Sequence, residues 1–317
     1  MATNKEALRG LSETFMVELK KGRLHTILER IQKDDTLMLA IRENYINIYY
    51  RGGNILKITE KAGVYETYFD KNYDESELLV KHLPNPIASR GDAELWVDNI
   101  SILKQTMDFY FAKHQKPERE FQQLIARENN FSTVSNESEY FITDIEFADS
   151  TNKSRFDMLA IQWPATGRKD GSNCKAALIE VKYGDGALGG KAGLEKHLSD
   201  IEKLTTDTQK YEDLLQTMEV QIEQLQKLDL LKCNGLVAEK TKVKLARNIK
   251  PEVIFILANH NPRSTKLETF LNALEVKPKT PQKFDLKFFV ASSSGYAMHS
   301  GCMLDLEKFQ KFLALLK

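Results

Sequence analysis

The segment AALIEVKY, residues 176–183, limits the possible folds more than any other, because an acid and a base interrupt an otherwise apolar run. Its apolar, β-branched character reads as a strand. Alternate side chains of a strand share a face. Ile179, Val181 and Tyr183 therefore point one way, and Glu180 and Lys182 the other, about 7 Å apart. Charge in an apolar strand is costly without a partner. Either this is an edge strand carrying a surface salt bridge, or the fold brings further groups to Glu180 and Lys182.

The surrounding pattern favours a sheet with helices packed on it. PEREFQQLIAREN (117–129) has helical spacing, with proline in its first turn. YFITDIEFAD (140–149), RFDMLAIQW (155–163) and AALIEVKY read as three strands. A helix begins near Leu194 and helical spacing continues through 205–232. PEVIFILANH (251–260) is a strongly apolar strand; a helix at 264–275, a strand at 283–292 and a helix at 304–316 complete the order. Upstream, residues 5–32 have the spacing of one helix lined by Phe15, Leu19, Leu24, Ile27 and Ile31. TLMLAIR (36–42), YINIYY (45–50), NILKITE (54–60) and GVYETYFD (63–70) then read as an antiparallel meander with turns at Arg51-Gly52-Gly53-Asn54 and Lys61-Ala62-Gly63. A further helix runs from Asp92 to about Ala112. The expected class is α/β (α+β). An N-terminal α+β accessory unit spans 1–115, and a mixed sheet flanked by helices spans 116–317, with a helical insertion near 205–240.

The strand runs into Gly184-Asp185-Gly186-Ala187-Leu188-Gly189, which spells GxGxxG and invites a dinucleotide-binding reading. Three features oppose it. A strand feeding that fingerprint is normally near-continuously apolar, and this one carries Glu180 and Lys182. The fingerprint opens the first βαβ unit of its domain, whereas two strands precede this one. The following GGKAG lacks the serine or threonine of a phosphate-binding P-loop. The glycines are better read as a flexible turn where a substrate backbone can approach closely.

Asp157, in the preceding strand, comes beside Glu180 if the two strands pair as a hairpin. Two carboxylates at a strand junction suit a hard divalent cation, since Mg²⁺ keeps several waters and takes one or two carboxylates.

Asp157 with Glu180-Val181-Lys182, inside the order helix, three strands, helix, strand, resembles the PD-(D/E)xK nuclease superfamily and its restriction-endonuclease-like core. The resemblance covers roughly residues 117–292. It departs from the motif in having Phe156, not proline, before Asp157. The resemblance implies Mg²⁺- or Mn²⁺-dependent hydrolysis of phosphodiester bonds, in DNA, in restriction, phage defence or repair. It implies Asp157, Glu180 and the carbonyl of Val181 as metal ligands. Lys182 would orient or deprotonate the attacking water. A glutamate on the preceding helix is implied as a fourth catalytic group; Glu120 is the candidate, with Glu118 and Glu128 as rivals. A polar residue on the following helix would be His197. Gly186, Gly189, Gly190 and Lys191 would lie against the nucleic-acid backbone. A non-catalytic nucleic-acid-binding or assembly protein on the same fold is the alternative.

Bulk charge neither announces nor excludes a nucleic-acid partner. Lys+Arg and Asp+Glu both number 45, and a local groove can be basic on a neutral chain. Lys240, Lys242 and Lys244 alternate along a segment that reads as a basic strand face or a lysine-protected edge. Arg51 and Lys57 with Tyr49 and Tyr50 read as a basic-aromatic hairpin, open to nucleic acid or simply exposed. The three cysteines, Cys174, Cys233 and Cys302, are far apart without a CxxC, which argues against a disulfide framework or zinc site and for a reducing, cytoplasmic setting. No run approaches the roughly 20 apolar residues that span a bilayer. A homodimer or a partner subunit is compatible with this reading.

Overall fold

The computed structural model describes residues 9–74, 79–133, 135, 138–148, 155–164, 167–168, 171, 174–189, 194–232, 242–261, 265–276, 283–290 and 296–316.

The first helical stretch divides in two, α1 (Glu13–Lys21) and α2 (His25–Lys33). Spacing alone predicted one helix. The break follows from Gly22 and from Glu18, whose carboxylate takes both the Arg23 N–H at 2.6 Å and its guanidinium at 2.9 Å. Strands β1 (Leu37–Ile41), β2 (Tyr45–Tyr50), β3 (Gly53–Lys61) and β4 (Val64–Tyr68) form the expected antiparallel meander. Two of its turns are two-residue hairpins in left-handed conformation, Arg51-Gly52 at φ 50° and 71°, and Ala62-Gly63 at φ 51° and 80°, the geometry that matches strand twist. Helix α3 (Arg90–Lys113) packs on this sheet through Trp96, Ile100, Leu103, Met107 and Phe111.

Helix α4 (Pro117–Asn130) opens the second unit with its proline at the start. Then follow β5 (Tyr140–Ala148), β6 (Arg155–Gln162), β7 (Lys175–Tyr183), α5 (Leu194–Thr206), α6 (Thr208–Lys227), β8 (Glu252–Ala258), α7 (Thr265–Val276), β9 (Asp285–Phe289), β10 (Met303–Leu304) and α8 (Leu306–Ala314). The six strands lie in the order β10-β9-β8-β7-β6-β5. β5, β6 and β7 are antiparallel, β7, β8 and β9 parallel, and β10 antiparallel to β9. This is a mixed sheet flanked by helices, as expected; the two-residue β10 is an addition.

The alternation read in β7 divides between two cores. Ile179 and Val181 pack with Ile125 and Ala126 of α4. Leu178 packs with Ile201 and Leu204 of α5 and Met218 of α6. β8 is apolar on both faces because helices cover both. The 242–246 segment, read as a possible basic strand, makes only an isolated bridge between Cys174 and Leu245; Lys242 and Lys244 are exposed, and Lys240 and Cys233 lie outside the described residues. Among the described residues no helix is long and apolar enough to cross a membrane.

Candidate functional site

The β6–β7 ladder runs from Gln162 opposite Lys175 to Met158 opposite Ile179. One step further the same register sets Asp157 opposite Glu180. There β6 stays with β5, pairing Phe156 with Phe147, and leaves β7. The separation strips β7 of partners for the N–H groups of Val181 and Tyr183, which point to the same side. Two carboxylates replace the lost strand. Asp157 Oδ2 accepts from Val181 N at 2.8 Å, and Glu118, at the start of α4, accepts from Tyr183 N. The parting of two strands thus creates both the opening and the groups that line it.

Glu180 and Lys182 project together on the other face of β7. Lys182 Nζ stands 3.5 Å from Glu180 Oε2 and 3.9 Å from Asp157 Oδ2. His197 of α5 bridges them, with Nδ1 at 3.2 Å from Glu180 Oε1 and Nε2 at 3.3 Å from Lys182 Nζ. Glu180 is fully buried, Lys182 nearly so, and Asp157 one-fifth exposed. The acidic groups respond as crowded, desolvated carboxyls do. Burial raises Asp157 to about 7, and the charge of Glu180 adds to the rise. Burial also raises Glu180 to about 7 against the opposing charge of Lys182. Burial raises Glu118, with Asp157 contributing.

Three acids therefore face one lysine and His197. Crowded, desolvated carboxyls of this kind suit a hard cation, which relieves the cost of their charge. The number of ligands is small: among the described residues no three His, Cys, Asp or Glu side chains form a ready-made metal cage. Asp157, Glu180 and the Val181 carbonyl are oxygen donors, the ligand type that Mg²⁺ takes while keeping several waters.

The helix glutamate at the site is Glu118, and the choice of Glu120 is corrected. Glu120 points to the first unit, where Arg51 Nε donates to it at 2.8 Å. Glu118 is the first residue after Pro117; nothing in the sequence shows that the N–H of Tyr183 needs its carboxylate. The hairpin of Tyr49, Tyr50, Arg51 and Lys57, read as basic and aromatic, packs against α3 and α4. Arg51 is held by Asp108 and Glu120, Tyr50 donates to Asp108, and Tyr49 is buried.

The glycine segment does not open a helix. Residues 185–187 form one 3-10 turn. Gly186 is exposed, and Gly189 helps line a cleft of about 450 Å³ with Asp185, Leu188, Glu195, Lys266 and Phe270. A Cβ built at either glycine meets nothing within 4 Å, so both border open space. Gly190 and Lys191 lie outside the described residues. Sequence reasoning also passed over His260, which sits behind Lys182 at the end of β8. No family model, no curated protein and no solved structure matches the chain.

Proposed function

We propose that this protein is a metal-dependent nuclease that hydrolyses phosphodiester bonds in DNA, in a restriction, phage-defence or repair setting. The observation that carries the reading is the convergence of Asp157, Glu180 and Lys182 where β6 leaves β7. The order α4, β5–β7, α5–α6, β8 supports the likeness to a restriction-endonuclease-like core, although fold alone does not assign chemistry.

Asp157 and Glu180, with the Val181 carbonyl, would hold Mg²⁺ or Mn²⁺. When bound, the cation supplies positive charge against the phosphate oxygens and eases ionisation of the attacking water. Lys182, held among Glu180, His197 and Asp157, orients that water and offsets charge gathering on the phosphoryl oxygens. His197 holds the lysine and Glu180 together. Glu118 keeps the end of β7 in place through Tyr183. The cleft beside Gly189 is lined by Glu195 of α5, the helix that also carries His197.

The test is cleavage of plasmid, linear and single-stranded DNA by purified protein with Mg²⁺ or Mn²⁺, beside Glu180→Ala and Lys182→Ala. Cleavage that requires metal and falls by about 10²-fold or more in both variants is expected. Metal binding without cleavage of any substrate would replace this reading with that of a non-catalytic binding or assembly protein.

A further inference from the structure

Beyond the acidic cluster, the backbone of Lys182 is itself held by a side-chain pair. β7 ends at Tyr183, and Gly184 turns the chain with φ at 72°. The Gly184 N–H donates to Ala258 O at 2.9 Å. The β7–β8 ladder pairs Lys182 with Leu257 and Tyr183 with Ala258, and the carbonyl of Lys182 is met in addition by His260, whose Nε2 stands 3.1 Å away. A carbonyl only accepts, so Nε2 carries the hydrogen. The other ring nitrogen, Nδ1, lies 2.9 Å from Asp185 Oδ1, a contact that requires a hydrogen on Nδ1 or on the carboxyl, since two acceptors do not bond. The His260 side chain is 4% exposed and that of Asp185 30%, so the ring is shielded while the carboxylate reaches the surface.

We infer that His260 and Asp185 are a positioning pair that sets the reach of Lys182. Asp185, in the turn after β7, fixes the ring of His260, which follows the end of β8. The ring fixes the Lys182 carbonyl from behind. The Lys182 side chain leaves the same residue toward Glu180, His197 and Asp157, with 3.3–3.9 Å separations that a small backbone rotation would spoil. Displacements of about 1 Å can cost a catalytic group 10²-fold. A plain strand cap would need only a donor for the carbonyl. Here a carboxylate orients the donor, as partners behind a functional group do in metal sites. The functional meaning of the pair rests on the nuclease reading; its geometry does not.

The test uses the full chain and two readouts. The first is metal-saturated DNA cleavage by His260→Ala, His260→Gln and Asp185→Asn. His260→Ala is expected to lower kcat by about 10–100-fold with KM for DNA within about twofold and thermal unfolding still cooperative. His260→Gln keeps a donor toward the carbonyl and is expected to recover most of that loss, with Asp185→Asn intermediate. The second readout is the side-chain ¹³Cε resonance of Lys182, assigned by its disappearance in Lys182→Arg. It is expected to shift in His260→Ala and to return toward the wild-type position in His260→Gln. Unchanged kcat in folded His260→Ala, or an unmoved Lys182 resonance, overturns the proposal. If the wild type cleaves nothing, the nuclease reading fails by itself, and the resonance still decides whether His260 positions Lys182.

Discussion

Glu118 and Glu120 sit two positions apart, about 200° around α4, and their surroundings differ accordingly. Glu118 accepts from the Tyr183 N–H beside Asp157, whereas Glu120 holds Arg51. Under the nuclease reading, Glu118→Gln should lower metal-dependent cleavage by about tenfold or more. Glu120→Gln should leave cleavage unchanged and cost at most about 1 kcal/mol, because its ion pair is partly exposed; parallel kinetics and urea titrations check both. The raised carboxyls make a second residue-level expectation. Asp157 and Glu180 lie at about 7, above the roughly 4 of unfolded carboxyls. Protons thus bind the folded state more tightly, and this contribution to stability is fully present below about 4 and lost as pH rises through about 7. Under the nuclease reading a cation would take the place of those protons. The rise in Tm given by Mg²⁺ should therefore be small at pH 6 and larger at pH 8, and a gain independent of pH would count against these two carboxyls as ligands.

At the level of elements, the Arg51-Gly52 turn ties the meander to α4. Gly52 has φ of 71°, and a Cβ there would meet the Arg119 backbone at 2.5 Å. Its N–H donates to Gln123 Oε1 at 2.6 Å. Gly52→Ala should cost more than about 1 kcal/mol, from left-handed strain and from the contact together, whereas Gly63→Ala, with nothing within 4 Å of its Cβ, should cost the strain alone. Chemical denaturation of the two variants separates the terms. Turn residues and apolar alternation made these strands legible beforehand. The α1–α2 break was not, because a 3.6-residue pattern continues through Gly22 and only the Glu18–Arg23 contact interrupts it.

Across the whole molecule, the two units are joined by a buried polar network. Asp144 of β5 is fully buried; Arg42 and Arg9 pair with it, and Gln221 of α6 donates to it at 3.1 Å. Arg42 also donates to the Ile145 carbonyl at 2.6 Å. One apolar core runs from Phe15 and Trp96 of the first unit to Phe141, Leu178 and Met218 of the second. Removing one member of a buried ion pair strands the other. Asp144→Ala should lower stability by about 3–5 kcal/mol and should move the unfolding of both units together, seen as one shifted calorimetric transition; two separated transitions would show that the units fold independently.

By itself the sequence determined the succession of helices and strands apart from the α1–α2 break and β10, the meander, and the pairing of Glu180 with Lys182 on one strand face. These follow from periodicity, turn chemistry and proline, all of which act over a few residues. Asp157 was legible as a partner because a hairpin register is also a near-local property. Tertiary structure alone decided which glutamate of α4 reaches the site, where Asp144 is buried, and that His260 stands behind Lys182. Each depends on how far one element slides or turns against another, and a hydrogen-bonding side chain carries no sequence mark of the backbone group it will meet after the chain has packed.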